Sequence, residues 1–315
     1  MKDNYGRDIF YLRLSVTDLC NLRCIYCMPE DGVEKRRHED VLSVEEIEEI
    51  VRAAASCGIT KVRVTGGEPL VRGGILEICR RISNTQGISE LCLTTNGILL
   101  PKYARELKAA GVRRLNISLD SLDPETYAEI TRNGKLEDAL LGVQTALDTG
   151  FDAVKINAVL MGGVNDEETL NMLDLTRRYE VNVRFIEVMP IGQCAKWAKE
   201  RFVSASRVLE IAPELQDVGA DGVAKLYKLP GGLGTVGLIS PISSHFCPTC
   251  NRIRIAADGR LKPCLHSADE IELRGLSGVE LENAIRSAIQ QKPGKHNLGD
   301  GGSSESARNM NAIGG

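Results

Sequence analysis

Along the first two thirds of the chain, short apolar and β-branched runs alternate with segments whose apolar residues recur every three or four positions. The runs read as strands at residues 9–16, 61–65, 90–94, 114–118, 153–160 and 182–187. The segments between them, 43–57, 74–84, 102–110, 136–149 and 166–179, carry helical spacing. Ser43 followed three residues later by Glu46 is a capping box that opens the first helix. Strict strand–helix alternation implies a parallel sheet with helices outside it. About six such units fall short of the eight that close a full barrel. The predicted fold is therefore α/β, a partial, open TIM-like barrel with its chemistry at the carboxyl ends of the strands.

Beyond Met189 the pattern changes. Short strands are predicted at 223–229, 234–239 and 251–256, with one more helix near 278–290. The expected organisation is a barrel over residues 1–190, a small α+β extension over 191–292 and a flexible tail over 293–315. The tail is rich in Gly and Ser, but apolar character returns at Met310 and Ile313 before Gly314 and Gly315.

Composition narrows the partners. A net charge of −4 argues against a broad nucleic-acid-binding surface. There is no long uncharged apolar run to span a membrane, and residues 1–7 have no signal-peptide core. A cytoplasmic location is expected. Ten cysteines in a reducing compartment are not expected to pair as disulfides, so their spacing carries the information.

Cys20, Cys24 and Cys27 directly follow the first predicted strand, where a barrel places its active-site loops. Soft thiolates suit iron–sulfur clusters or zinc. A structural zinc normally takes four protein ligands. Three thiolates leave one iron of a cubane open, unless a distant residue such as His38 completes a zinc site. The spacing C-x3-C-x2-C resembles the signature of the radical S-adenosylmethionine (SAM) superfamily. So do Thr65-Gly66-Gly67-Glu68-Pro69 after strand two, Thr94-Thr95-Asn96-Gly97 after strand three and Asn116-Ile117-Ser118-Leu119-Asp120 after strand four.

Cys247, Cys250 and Cys264 form a second triplet. No second C-x2-C completes a zinc ribbon, although Cys194 or His266 could supply a fourth ligand. Arg252 and Arg254 follow at once. Two residues apart on a strand, they share a face, an arrangement suited to phosphate. The second triplet, the Arg-x-Arg and the closing Met-Asn-Ala-Ile-Gly-Gly together resemble the GTP 3′,8-cyclase family of molybdenum cofactor biosynthesis. A peptide-modifying radical SAM enzyme and a non-catalytic zinc module are the rival readings.

The resemblance implies a lyase with two [4Fe–4S] clusters and SAM. A 5′-deoxyadenosyl radical takes hydrogen from C3′ of GTP, C3′ bonds to C8, and reduction gives 3′,8-cyclo-7,8-dihydro-GTP. Cys20, Cys24 and Cys27 would hold the SAM cluster, and Cys247, Cys250 and Cys264 the auxiliary cluster. Tyr26, Gly67, Ser118, Arg184 and Met189 match SAM contacts. Arg13, Arg63, Thr94, Lys155, Arg252 and Arg254 match GTP contacts. Gly314 and Gly315 would enter the active site and help position the reacting groups, acting through Arg63. A small electron-transfer protein as reductant, delivery of product to the cyclic pyranopterin monophosphate synthase, and a homodimer complete the implied partners.

Overall fold

The computed structural model describes residues 1–34, 37–296, 298 and 304–314. Gly315 lies outside them, as does the side chain of His38.

The strands fall where the pattern puts them: β1 (Tyr11–Ser15), β2 (Lys61–Thr65), β3 (Glu90–Thr95), β4 (Val112–Ser118), β5 (Ala153–Leu160) and β6 (Val181–Glu187). Helices α1 (Val44–Ser56), α2 (Ile75–Asn84), α3 (Leu100–Ala109), α5 (Leu136–Thr149) and α6 (Thr169–Arg178) connect them, with a short α4 (Pro124–Thr131) before α5. The α4 helix was not anticipated. Asp123 caps it by accepting from the Thr126 amide at 2.8 Å, and Pro124 starts it. The predicted capping box is present: Ser43 Oγ accepts from Glu46 N at 3.1 Å, and Glu46 Oε2 accepts from Ser43 N at 2.7 Å.

The six expected strand–helix units are present, and the parallel sheet gains two further strands from the extension. Downstream come α7 (Arg207–Ile211), β7 (Gln216–Asp221), β8 (Ala224–Lys228), β9 (Thr235–Ile239), β10 (Arg252–Ile255), β11 (Arg260–Lys262), β12 (Ile271–Glu272), α8 (Gly278–Gln290) and α9 (Met310–Ile313). β9 joins β6 in parallel and β10 joins β1 in parallel, so the carboxyl-terminal region extends the barrel at both edges. The single sheet runs β12-β11-β10-β1-β2-β3-β4-β5-β6-β9-β8-β7. Its two outermost pairs on either side, β10–β11–β12 and β9–β8–β7, are antiparallel. Extra edge strands are hard to read in sequence when, like Gln216–Asp221, they are polar and exposed.

Strand periodicity explains the interior. Leu12, Leu14, Val62, Val64, Leu91, Leu93, Leu115, Ile117, Val154, Ile156, Val183 and Phe185 are buried in the main core cluster with the helices. The alternate positions, among them Arg13, Arg63, Thr94, Asn116, Lys155 and Arg184, face the other side of the sheet. A TIM barrel fills its interior with branched apolar side chains. This one lines it with cations and amides, which require ligands or partners of their own. Among the described residues no helix is long and apolar enough to cross a membrane.

Candidate active site

One cavity at the carboxyl ends of the strands is lined by Cys20, Cys24 and Cys27 and also by Cys247, Cys250 and Cys264. All six cysteines are free. Among the described residues, no three His, Cys, Asp or Glu side chains converge as a ready-made metal site.

The loop that bears the first triplet is held by the Gly-Gly-Glu-Pro segment. Gly67 N donates to Thr17 O at 2.8 Å, and Glu68 N donates to Leu19 O at 2.8 Å. A β-carbon on Gly67 would stand 2.3 Å from Leu19 O, and one on Gly66 would stand 2.6 Å from Thr17 O. These glycines are therefore demanded by the cysteine loop itself. The Glu68 carboxylate turns inward and accepts from Thr95 Oγ1 at 2.8 Å, Asn96 N at 2.7 Å and Leu70 N at 2.9 Å. Burial outweighs those three donors and pushes its pKa up to about 7. Asn96 then reaches Asn21 Oδ1 at 2.8 Å, beside Cys20. One carboxylate thus joins the ends of β2 and β3 next to the cysteines.

Burial raises the Cys20 thiol to about 11 and the Cys27 thiol to about 12, and lifts Cys24 well above its ordinary value. Three half-buried thiols on the wall of one cavity suit a bound cation that stabilises their thiolates. Between Cys24 and Cys27, Tyr26 donates from its hydroxyl to Asp120 Oδ2 at 2.7 Å, and Asp120 Oδ1 accepts from Val159 N at 2.8 Å. Burial raises Asp120 to about 6. The Tyr26 ring is thus fixed to the ends of β4 and β5. The role of Asp120 was not predicted, although it closes the Asn-Ile-Ser-Leu-Asp string.

The second triplet sits in different electrostatics. Desolvation raises the Cys250 thiol, but the charges of Arg252 and Lys292 more than offset it and bring the pKa down to about 7. His266 and His296 also line this side. Burial, followed by the charge of His296, depresses His266 to about 3, so its imidazole is neutral. Cys194 is not beside this triplet. Its thiol packs with Ile25 and Tyr26 and donates to Met189 O at 2.9 Å and Ile191 O at 3.2 Å.

Of the residues matched to ligand contacts, Arg13, Tyr26, Gly67, Thr94, Ser118, Met189, Arg252 and Arg254 line the cavity. Arg63, Lys155 and Arg184 do not, and protein groups engage them instead. Arg63 is buried, donating from Nη1 to Asn116 Oδ1 at 2.8 Å and from Nε to the Tyr11 hydroxyl. Burial raises the Tyr11 phenol, but the Arg63 and Arg13 guanidiniums pull it down to about 7. Lys155 and Arg184 share a carboxylate oxygen of Asp221, a residue at the end of β7 that was not anticipated. The tail lies against β1 and β2. Arg254 Nη1 donates to Gly314 O, and a β-carbon on Gly314 would stand 2.3 Å from Thr65 Oγ1. Arg308 anchors the approach with ion pairs to Glu270 at 2.6 Å and Asp258 at 2.8 Å.

Residues 14–176 match the family model described as Radical SAM superfamily, and residues 181–298 match Molybdenum Cofactor Synthesis C. A GTP 3′,8-cyclase of Alkaliphilus oremlandii is 50% identical over 322 residues, covering 100% of both chains. The chain belongs to the GTP 3′,8-cyclase family. A second family member, from Alkaliphilus metalliredigens, is 51% identical over 322 residues with the same full coverage. The fold is also that of Streptococcus suis SuiB bound to S-adenosylmethionine, with a TM-score of 0.64 and 17% identity, over 89% of this chain and 68% of that one.

Membership of the radical SAM superfamily implies a [4Fe–4S] cluster and SAM. The cavity fits such guests. It offers two sets of three thiols, and two of its lining residues, Arg13 and Asn157, present buried atoms (Nε and Oδ1) with no hydrogen-bond partner among the described residues. Orphaned buried polar atoms of this kind are costly unless something fills the space they face.

Proposed function

We propose that this family member converts GTP to (8S)-3′,8-cyclo-7,8-dihydroguanosine 5′-triphosphate, with SAM held at the first triplet and the purine held at a second [4Fe–4S] cluster on Cys247, Cys250 and Cys264. When bound, the first cluster and SAM supply a 5′-deoxyadenosyl radical, which takes the C3′ hydrogen and lets C3′ bond to C8, with one electron and one proton closing the ring system. The observation that carries this reading is one cavity lined by both triplets of free thiols together with Arg13, Arg252 and Arg254, none of which meets a carboxylate among the described residues.

The chain's own residues bind and orient. Arg13, Arg252 and Arg254 sit on β1 and β10, where Arg13 pairs with Arg254 in register. Burial, and then the neighbouring Arg13 and Arg252 charges, drive the Arg254 pKa well below its ordinary value. Crowded cations of this kind are relieved by a polyanion, and a triphosphate supplies one. Tyr26, clamped by Asp120, offers a fixed ring face to adenine, with Ser118 and Met189 on the same wall. Gly314 packs against Thr65 and Arg254, two residues of the cavity wall, where it would help to keep water from the reacting carbons. The electron would come from a small electron-transfer protein, and the product would pass to the cyclic pyranopterin monophosphate synthase.

Anaerobically reconstituted chain should hold about eight irons, two cubanes' worth. Cys24→Ser should abolish SAM cleavage. Cys250→Ser should keep some uncoupled SAM cleavage, with loss of about four irons, and form no cyclised nucleotide. Normal GTP conversion by Cys250→Ser would overturn the assignment of the second triplet.

A further inference from the structure

Lys292 follows α8 and belongs to no motif read from the sequence. It is a lysine only 3% exposed, and its side chain lines the cavity beside the second triplet. Nζ donates to Pro263 O at 2.8 Å, the carbonyl immediately before Cys264. It also hydrogen-bonds the Cys250 side chain. Among the described residues no carboxylate forms an ion pair with it. Burying an ammonium without a counter-ion is costly, and sequences keep such a group where an anion will meet it.

A second cation completes the arrangement. Arg7 Nη1 donates to Cys247 O at 2.9 Å, and Arg7 Nη2 donates to Pro293 O at 2.8 Å and Lys292 O at 3.4 Å. Arg7 is neutralised by Asp3 at 2.6 Å. It therefore acts as a clip that ties the Cys247 segment to the backbone of Lys292. Lys292 in turn ties the Cys250 side chain to the Cys264 segment. All three ligand-bearing segments meet through these two side chains, and Lys292 alone of the pair brings net charge.

We propose that Lys292 is a positioning residue of the second cluster: its ammonium gathers the Cys250 and Cys264 segments and supplies a fixed positive charge that sets the cluster's reduction potential. This rests on the reading of the second triplet as a cluster site. Net charge and hydrogen bonds to the sulfurs are what tune such potentials. A nearby cation favours the reduced, more negative form, so removing it lowers the potential. Lys292 itself is almost wholly shielded from solvent, so bulk water does not stand in for its ammonium.

The test uses the full chain carrying Cys20→Ser, Cys24→Ser and Cys27→Ser, so that any iron reports the second site. Into this background go Lys292→Gln, which keeps a donor without charge, and Lys292→Arg, which keeps both. Iron and sulfide content, loss of iron to a chelator, and the midpoint potential by anaerobic redox titration are measured. With Gln, the potential should shift downward and iron should leave severalfold faster; with Arg, both should return toward the parent values. A Gln variant that matches the parent in potential and in iron release overturns the proposal. A Gln variant that holds no iron while Arg holds a full cluster supports the gathering role. A parent background that binds no iron at all overturns the cluster reading itself, a different failure and visible before any lysine is changed.

Discussion

Asp221 Oδ2 lies 2.6 Å from Arg184 Nη2 and also accepts from Lys155 Nζ, so one carboxylate holds two cations from neighbouring strands. Desolvation opposes its ionisation, but Lys155 and Arg184 still bring the Asp221 pKa down to about 2. A depressed acid stabilises the fold above its unfolded pKa and loses that effect only as pH falls through the folded value. Asp221 therefore stays ionised throughout the neutral range. An incoming polyphosphate that uses Lys155 or Arg184 must displace this carboxylate. Asp221→Asn should then bind GTP about tenfold more tightly at low ionic strength, an effect of about 1.4 kcal/mol. Equilibrium dialysis under anaerobic conditions measures it. Unchanged or weaker binding would mean that Asp221 orients the cations and does not compete for them.

Glu68 gives a pH dependence of opposite sign. Its pKa is raised from 4.5 to about 7 by burial. A raised acid favours the fold below its unfolded pKa and loses that contribution as pH climbs through the folded one. The thermal midpoint of the cluster-free chain should fall between pH 4.5 and 7, with Asp120, raised to about 6, adding to the fall. In Glu68→Gln the slope over that window should be shallower. Parallel curves for the two proteins would show that the group does not titrate there.

Gly314 has φ of 79° and no room for a β-carbon beside Thr65 Oγ1. Gly314→Ala meets both obstacles, and the backbone strain alone is about 1–2 kcal/mol. SAM cleavage should survive while cyclised product per SAM consumed falls by about a hundredfold, the cost expected for ~1 Å of misplacement. Adding Thr65→Ala removes the worst contact and leaves the strain and a 3.2 Å approach to Ser15 Cβ, so coupling should return in part. If the double variant is as uncoupled as the single one, the steric account is wrong.

Arg252 and Arg254 should not behave alike. Arg254 is buried and holds the Gly314 carbonyl, whereas Arg252 is half-buried and stacks on Phe246. Either change to Ala should cost a charge-assisted contact of about 1.5–3 kcal/mol, which weakens GTP binding about ten- to a hundredfold. Only Arg254→Ala should also release the tail, seen as faster amide exchange over residues 304–314. Equal protection in both variants would argue that the tail is held elsewhere.

The sequence carried much of this architecture because period-two strands and period-3.6 helices leave local traces. The ends of β2 through β6, the Ser43–Glu46 capping box and the clustering of both cysteine triplets were all legible. What was hidden depends on long-range register. β10 beside β1 cannot be read from either strand alone, and the polar β7 strand gives no apolar alternation. Asp221 and Lys292 gain meaning only from what they touch. Arg63 and Arg184 match ligand contacts in the sequence, and the structure adds a protein partner for each, Asn116 and Asp221. Gly66 and Gly67 are explained by their own loop, which leaves no room for a β-carbon against Thr17 O and Leu19 O.

The pairing of Tyr11 with Arg252 has a consequence for how the molecule is made. β1 emerges during synthesis well before its second neighbour, β10. At about 5–20 residues per second, the edge of β1 waits tens of seconds for β10. Through that interval β1 to β6 can assemble as a half-wound sheet with an open parallel edge, the kind of surface that invites pairing with another chain. Closure also brings Arg252, Arg254 and the second cysteine triplet to the cavity in one event. The site is therefore finished only after β10 has been made, and a ribosome that stalls before residue 252 leaves the first triplet exposed with nothing opposite it.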